Sequence, residues 1–512
     1  MLAAFVLTAQ TEPPPGPVLH AETRVVQIDV VAVDSHGKPV TGLTKADFTV
    51  TDEGKPRVID IFSSSMGNNS DETSTPLPAS RQGLPPHVFS NRNAGPPAVP
   101  GHSTVIVLDQ VNAFFEDAGY ARQQVLNLMP KLKPDERIAL YVIARKQGLL
   151  VIQDYTTDRP LLLRSLRRYL PKGLAPRPVF PDPWPIGVQD RATSPQVPND
   201  FNPNRQTLEE KEFVWRSNSE QARLSLQALA EHLALLPGRK SVYWVTQAFP
   251  ARLMREMGES AWNKTFTALN EANVAVNTVD SRGLYGGNPS GPTISAMQQI
   301  AETTGGKAYF GRNDMDAAMA GGIEASRTNY TLGFYLPDGE RDSKYHALRV
   351  KVDRPGLQLF YRQGYYAGNT DLPVPEKVTG ELESALLNQV DSAGVGITAR
   401  LDAPSGTPPA VTIHLNLDPT TLSLTEKGTE KGGEWTGKVD ETLIELSESG
   451  GTLTKVSDVK EFSVTNASRA KFDHEGVAWP FSIPLIKGAV KITVVVRDLK
   501  TGRVGSLTIP LK

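Results

Sequence analysis

The chain contains no cysteine, so disulfides, thiolate metal sites and cysteine nucleophiles are all excluded. It has no surplus of basic residues: 54 Lys and Arg stand against 56 Asp and Glu. Without such a surplus, nucleic acid and anionic membrane surfaces are disfavoured as main partners. No stretch approaches the roughly 18 continuous apolar residues of a membrane-spanning helix, so no transmembrane span is expected. Enzyme signatures are missing too, with no G-x-S-x-G, no H-E-x-x-H and no G-x-G-x-x-G after a strand. The eight histidines are scattered, with no pair at metal-ligand spacing. His232, in "LAEHLALL", reads as a partly buried helix residue.

What is present is ordinary soluble-protein composition in 512 residues, 39% apolar and 21% charged, with 40 prolines that cluster. That length predicts two to four domains. Residues 1–20 open with a short apolar run, Leu2 to Leu7, then Ala9, polar residues and prolines. They resemble the back half of a secretory signal without its basic start, which predicts export. Residues 21–62 read as a small β module, with "RVVQIDVVAVD" as a strand and "DEGK" as a hairpin turn. Residues 63–101 are rich in Ser, Asn, Pro and Gly and read as a linker, because little apolar area is available to offset ordering entropy.

From 102 to 328 strands alternate with helical stretches of 10 to 20 residues, the pattern of βαβ units around a mainly parallel sheet. The expected strands are Val105 to Asp109, Ile138 to Ile143, Val242 to Thr246, Val274 to Val279 and Ala308 to Phe310. "GLLVIQDY" adds one read as antiparallel to its neighbour. An insertion at about 171–214, rich in Pro, Arg and Asn ("PRPVFPDPWPIG"), interrupts the series. Residues 329–374 return to a β pattern, expected to pack on the α/β domain as an extension. Residues 375–512 start with a helix-like stretch and continue as alternating strands, which predicts a C-terminal β-sandwich.

Several blocks together resemble a known family. "DSHGKPVTGLTKADFTVTDEGKPRVIDIF", "LDQVNAFFEDAGYARQQVLNLM", "LAEHLALLPGRKSVYWVT", "LNEANVAVNTVDSRGLY", "IAETTGGKAYF" and "NYTLGFYLPDG" occur in that order. The chain resembles the von Willebrand factor A-type domains, and more closely the VWFA-related family common in Acidobacteria, over about residues 24–367. The resemblance implies an α/β, Rossmann-like A-type domain and a cell-envelope or extracellular setting. It also implies a protein-binding role and a metal site, called MIDAS, at the carboxyl edge of the sheet. In metal-binding relatives that site draws oxygens from a D-x-S-x-S loop, a later Thr and a second Asp.

Here the loop reads Asp109-Gln110-Val111-Asn112-Ala113, and the fourth-strand position reads Thr246-Gln247. Both serine positions lack a hydroxyl and the second carboxylate is missing, so a degenerate site is expected. A surviving Mg²⁺ or Ca²⁺ would have to use Asp109 and Asn112, helped by Thr156 or Thr157. Without a metal, Asp109 is expected to accept N–H bonds from its own loop. "VDSRGLYGG" sets Asp280 and Arg282 on the same edge, as a partner-binding rim or as an ion pair shaping the loop. Gly305 and Gly306, in "TTGGKAYF", lack the phosphate-loop order and read as a helix C-cap.

The expectation is therefore a non-enzymatic exported protein that binds a protein partner in the envelope or extracellular space. Asp109, Asn112, Glu116, Gln247, Asp280 and Arg282 are the candidate contact residues, and no cofactor is expected. The alternatives are metal-dependent ligand binding, and a subunit of an enzyme that processes envelope polymers. A third is a purely structural role for the β domains, with the α/β domain as spacer.

Overall fold

The structure, a computed structural model, describes residues 24–66, 84–92, 102–169 (except 114 and 146), 208–247 (except 235), 259–284 and 291–367 (except 341 and 343). It further describes 385–386, 388, 390–427, 433–448 and 451–511. The signal-like segment 1–20 lies outside these residues, as do most of the helix-like stretch 376–391 and positions 171–207 of the insertion.

The centre is a six-stranded sheet. Its strands are β1 (Ser103–Asp109), β2 (Ile138–Ala144), β3 (Gly148–Thr156), β4 (Lys240–Thr246), β5 (Val274–Asp280) and β6 (Ala308–Tyr309). They lie in the order β6-β5-β4-β1-β2-β3, all parallel except β3, which runs antiparallel to β2. Every residue of β1, β2, β4 and β5 is buried. That is why these strands read as continuous runs rather than alternating ones, since helices cover both faces of a parallel sheet.

Alternate side chains feed two cores. Val105, Val107, Val242 and Trp244 point to one, with α3 (Leu208–Leu233), α4 (Glu259–Glu271) and α5 (Pro292–Thr304). Ile106, Leu108, Tyr243 and Val245 point to the other, with α1 (Phe115–Leu128), α2 (Arg159–Arg168) and α6 (Met315–Ser326). Each fully buried aliphatic or aromatic side chain contributes about 1.5–3 kcal/mol of transfer free energy. The helix ends follow local chemistry. Asp158 caps α2 by accepting the Leu161 N–H at 2.8 Å. Gly305 ends α5 at φ +78°, and the Gly306 N–H reaches back to the Ala301 carbonyl at 2.7 Å. A Cβ on Gly306 would stand 2.1 Å from the Val276 carbonyl oxygen, so only glycine lets the chain pass so close to β5.

The flanking β segments correct the expected boundaries. The N-terminal module and the returning extension are one two-sheet unit, not two. Strand Arg24–Val33 lies between Thr328–Leu336 and Gln358–Phe360, and Phe48–Asp52 pairs with Tyr345–Val352. Val26, Ile28, Phe48 and Val50 from the first segment share a core with Tyr330, Phe334 and Tyr365 from the second. Met66 and Thr328 are paired, so the α/β domain is inserted between two neighbouring strands of this unit. Nothing local in the sequence reveals such pairing, because both halves need a partner some 300 residues away. The segment 63–101 is not all linker either. Val88–Ser90 forms an edge strand against Ile397–Leu401 of the C-terminal region. That region has two sheets sharing one apolar core, plus a helix, Asn466–Glu475, that the alternating pattern did not announce.

Candidate functional site

In a doubly wound sheet of this order, ligands bind outside the carboxyl ends of the strands where the winding reverses. Here the reversal falls between β1 and β4, which are hydrogen-bonded neighbours ending at Asp109 and Thr246. The Thr246 hydroxyl donates to Asp109 Oδ2 at 2.9 Å, bridging the two strand ends across the reversal.

Asp109 is buried, and its other partners are local. Oδ1 accepts the N–H groups of Val111 (3.0 Å) and Asn112 (3.2 Å), and Oδ2 also accepts the Asn112 side-chain amide (3.0 Å). An aspartate folding back on the next residues in this way closes a tight turn. Burial pushes the Asp109 carboxyl above its ordinary range, against the Asn112 and Thr246 hydrogen bonds that pull it down. The loop is tied down further along. The Val111 carbonyl accepts Arg145 Nε (3.3 Å) and the Asn218 amide of α3 (3.2 Å). Gln110 Oε1 accepts the Tyr169 hydroxyl at 2.7 Å, and burial pushes that phenol up to about 12.

Next along the edge, Asp280 ends β5 in register with Thr246. Arg282 grips it with two charge-assisted bonds, Nε to Oδ1 (2.8 Å) and Nη2 to Oδ2 (2.7 Å), and its backbone N–H adds a third at 3.0 Å. Asn313 then holds the loop by accepting the Leu284 N–H (2.8 Å) on its side chain and the Tyr120 hydroxyl (3.1 Å) on its carbonyl. Leu284 itself is 69% exposed, a large apolar side chain presented to solvent. Gln247 follows Thr246 and is buried. Glu116 stands in the first turn of α1, its side chain outside the described set.

The structure thus brings Asp109, Asn112, Gln247, Asp280 and Arg282 onto one edge. It does not bring Thr156 and Thr157 there, and that expectation is corrected. Because β3 is antiparallel, its carboxyl end lies beside Ile138 at the start of β2, on the opposite edge of the sheet. Thr156 instead accepts the Asp158 N–H at 3.0 Å, ahead of the α2 cap. His232 is also remote from the edge. Its Nδ1 lies 3.2 Å from the Asp391 carbonyl, and burial lowers its basicity. Sequence reasoning missed Thr246 as the donor to Asp109, and with it Arg145, Asn218 and Tyr169. The available signal for Thr246 was its position, as the last residue of the strand beside β1 at the reversal.

As a metal cradle the donor set fits poorly. Both Asp109 oxygens already serve four donors, Asn112 turns N–H rather than oxygen toward the carboxylate, and Val111 and Ala113 carry no side-chain oxygen. A hard dication needs six or more oxygens with anionic character among them.

No protein-family model matches the chain, and no curated protein matches it. Among solved structures it is similar to an aerotolerance-related membrane protein from Bacteroides fragilis, at 13% identity over 44% of this chain and 99% of that one, with a TM-score of 0.27. It is also similar to the conserved hypothetical protein BatB from Bacteroides thetaiotaomicron, at 14% identity over 44% and 97% with a TM-score of 0.25. A von Willebrand factor type A protein from Catenulispora acidiphila shares 9% identity over 57% of this chain and 75% of that one, with a TM-score of 0.25.

Proposed function

We propose that this chain is a non-enzymatic, exported binding protein that engages a protein partner through the carboxyl edge of its six-stranded sheet, without a metal ion. The observation that carries the reading is the Thr246–Asp109 hydrogen bond across the winding reversal. It occupies the carboxylate that a metal-dependent site would need, and it holds the edge in a fixed shape. Rigid strand ends presenting shaped loops are the usual way α/β folds build binding surfaces. The rim offers the exposed Leu284 beside the Arg282–Asp280 pair, an apolar anchor next to a charge. Such a combination suits a protein surface. Near-zero net charge argues against nucleic acid, and among the described residues no helix is long and apolar enough to cross a membrane.

Capture of partners from the source organism's envelope fraction tests this reading. Wild-type protein is expected to retain the same partner with and without a chelator, and Leu284→Arg and Arg282→Glu are expected to lose most of it. Capture that needs a divalent ion, or that ignores both rim substitutions, would contradict the proposal.

A further inference from the structure

Among the described residues, the longest open strand edge belongs to the C-terminal region. Strand Thr452–Thr465 pairs along its length with Glu434–Ser447, and among the described residues no strand pairs with its other side. A 14-residue edge with no strand along its outer side is a template for another strand. One hydrogen bond reveals which groups face outward. The Val459 N–H donates to Asp458 Oδ1 at 2.8 Å rather than across to Glu434–Ser447. By the alternation of an antiparallel ladder, the N–H groups of residues 455, 457, 461 and 463 face the open side as well. Val459 is also 51% exposed, although its neighbours Val456 and Phe462 pack onto the core of this region.

We propose that a second copy of this chain docks on this edge, strand against strand and antiparallel, about a two-fold axis at Val459. The charge pattern selects that register. With the axis at Val459, each Asp458 faces Lys460 of the second copy, each Ser457 faces Glu461, and Val456 meets Phe462. Centring one residue earlier would set Asp458 against Asp458, and one residue later Lys460 against Lys460. Directly opposed like charges destabilise a strand pair. In the Val459 register the Asp458–Lys460 contacts also fall at non-hydrogen-bonded positions, where facing side chains come closest. Within one copy Lys460 pairs with Asp458 on the edge and stands 3.9 Å from the buried Glu441 behind it, so both edge charges are in place before association. Symmetry makes the interface self-complementary and closed, which yields a dimer rather than a fibre.

Sedimentation of the full chain across a wide concentration range tests this. Wild type is expected to show a monomer–dimer equilibrium. Lys460→Asp and Asp458→Lys, each placing like charges opposite at two symmetric contacts, are expected to weaken it about tenfold or more. The double reversal Asp458→Lys with Lys460→Asp is expected to restore it, because opposite charges again face each other. Lys460 also lies 3.9 Å from the buried Glu441 carboxylate, so a thermal melt of each variant establishes that it is folded before its association is compared with wild type. A chain that stays monomeric at every concentration, a dimer that ignores the single reversals, or a double variant that stays weak would each overturn the proposal.

Discussion

Glu136→Ala is expected to lower the stability of the α/β domain at neutral pH by about 3–5 kcal/mol, because it strips a buried carboxylate from its cationic partner. Glu136 is 2% exposed, just ahead of β2 at the amino edge of the sheet. It accepts the Thr104 hydroxyl (2.7 Å), Arg327 Nη1 (3.0 Å) and His102 Nδ1 (3.2 Å). Arg327 links this cluster to the β unit, since the next residue starts the strand Thr328–Leu336. Removing the carboxylate leaves three donors facing a cavity, and Arg327 keeps only Asp135 among the acceptors described.

The pH dependence follows from the direction of the shift. Burial alone would push the Glu136 carboxyl up, but His102, Thr104 and Arg327 outweigh it and hold the group below its ordinary value of 4.5. A carboxyl with a depressed folded value binds protons more weakly in the native state than in the unfolded one. Its contribution is therefore complete above about pH 4.5 and fades as pH falls through the folded value. Denaturant unfolding of wild type and Glu136→Ala should give a stability gap that is widest at neutral pH and narrows in acid. A pH-independent gap would mean that lost packing, not the charge, carries the effect. Glu136→Gln, which keeps the shape and an acceptor oxygen, is expected to cost less, about 1–3 kcal/mol.

Asp52→Ala is expected to have an effect of the same size, about 3–5 kcal/mol, in the β unit. Asp52 is fully buried and gathers groups from three separated strands. Arg57 donates through Nη2 (2.7 Å) and Nε (3.1 Å), the Tyr365 hydroxyl donates at 3.0 Å, and His346 Nδ1 lies at 3.1 Å. Phe48–Asp52 lies at the start of the chain, whereas His346 and Tyr365 return after the whole α/β insertion. One carboxylate thus ties the two halves together. Alanine would leave the Tyr365 hydroxyl with only the longer contact to His346 Nδ1 (3.4 Å), and would leave Arg57 with Glu340. Hydrogen exchange measures the effect directly. Protection should fall in Phe48–Arg57 and Tyr345–Tyr366 while β1, β2 and β4 keep theirs. Unchanged protection in the β unit would contradict this role for Asp52.

Much of the α/β domain was legible because its signals are local. The apolar runs at Val105 and Val242 need only their own residues to declare themselves, and the structure has strands there. The insertion expected at about 171–214 overlaps the first residues of α3, because "LEEKEFVWRS" lacks the apolar period that Leu224, Leu226 and Leu229 supply. The β unit was only half legible, since its strands are visible but their pairing is not. Val88–Ser90 hid in linker-like composition because its partner lies about 310 residues away. At the site, Asp109 could be found from the strand that ends on it. Thr246 could not be assigned its task without the sheet order, and Thr156 and Thr157 were misplaced because strand direction decides which edge a residue reaches.

Asp109 is proposed to lock the carboxyl edge by hydrogen bonds without ligating an ion. Titration calorimetry of the full chain with Mg²⁺, Mn²⁺ and Ca²⁺, beside Asp109→Ala, tests it most directly. Neither protein is expected to give saturable heat with any of the three ions. Saturable binding to wild type that disappears in Asp109→Ala, with the variant still folded, would contradict it.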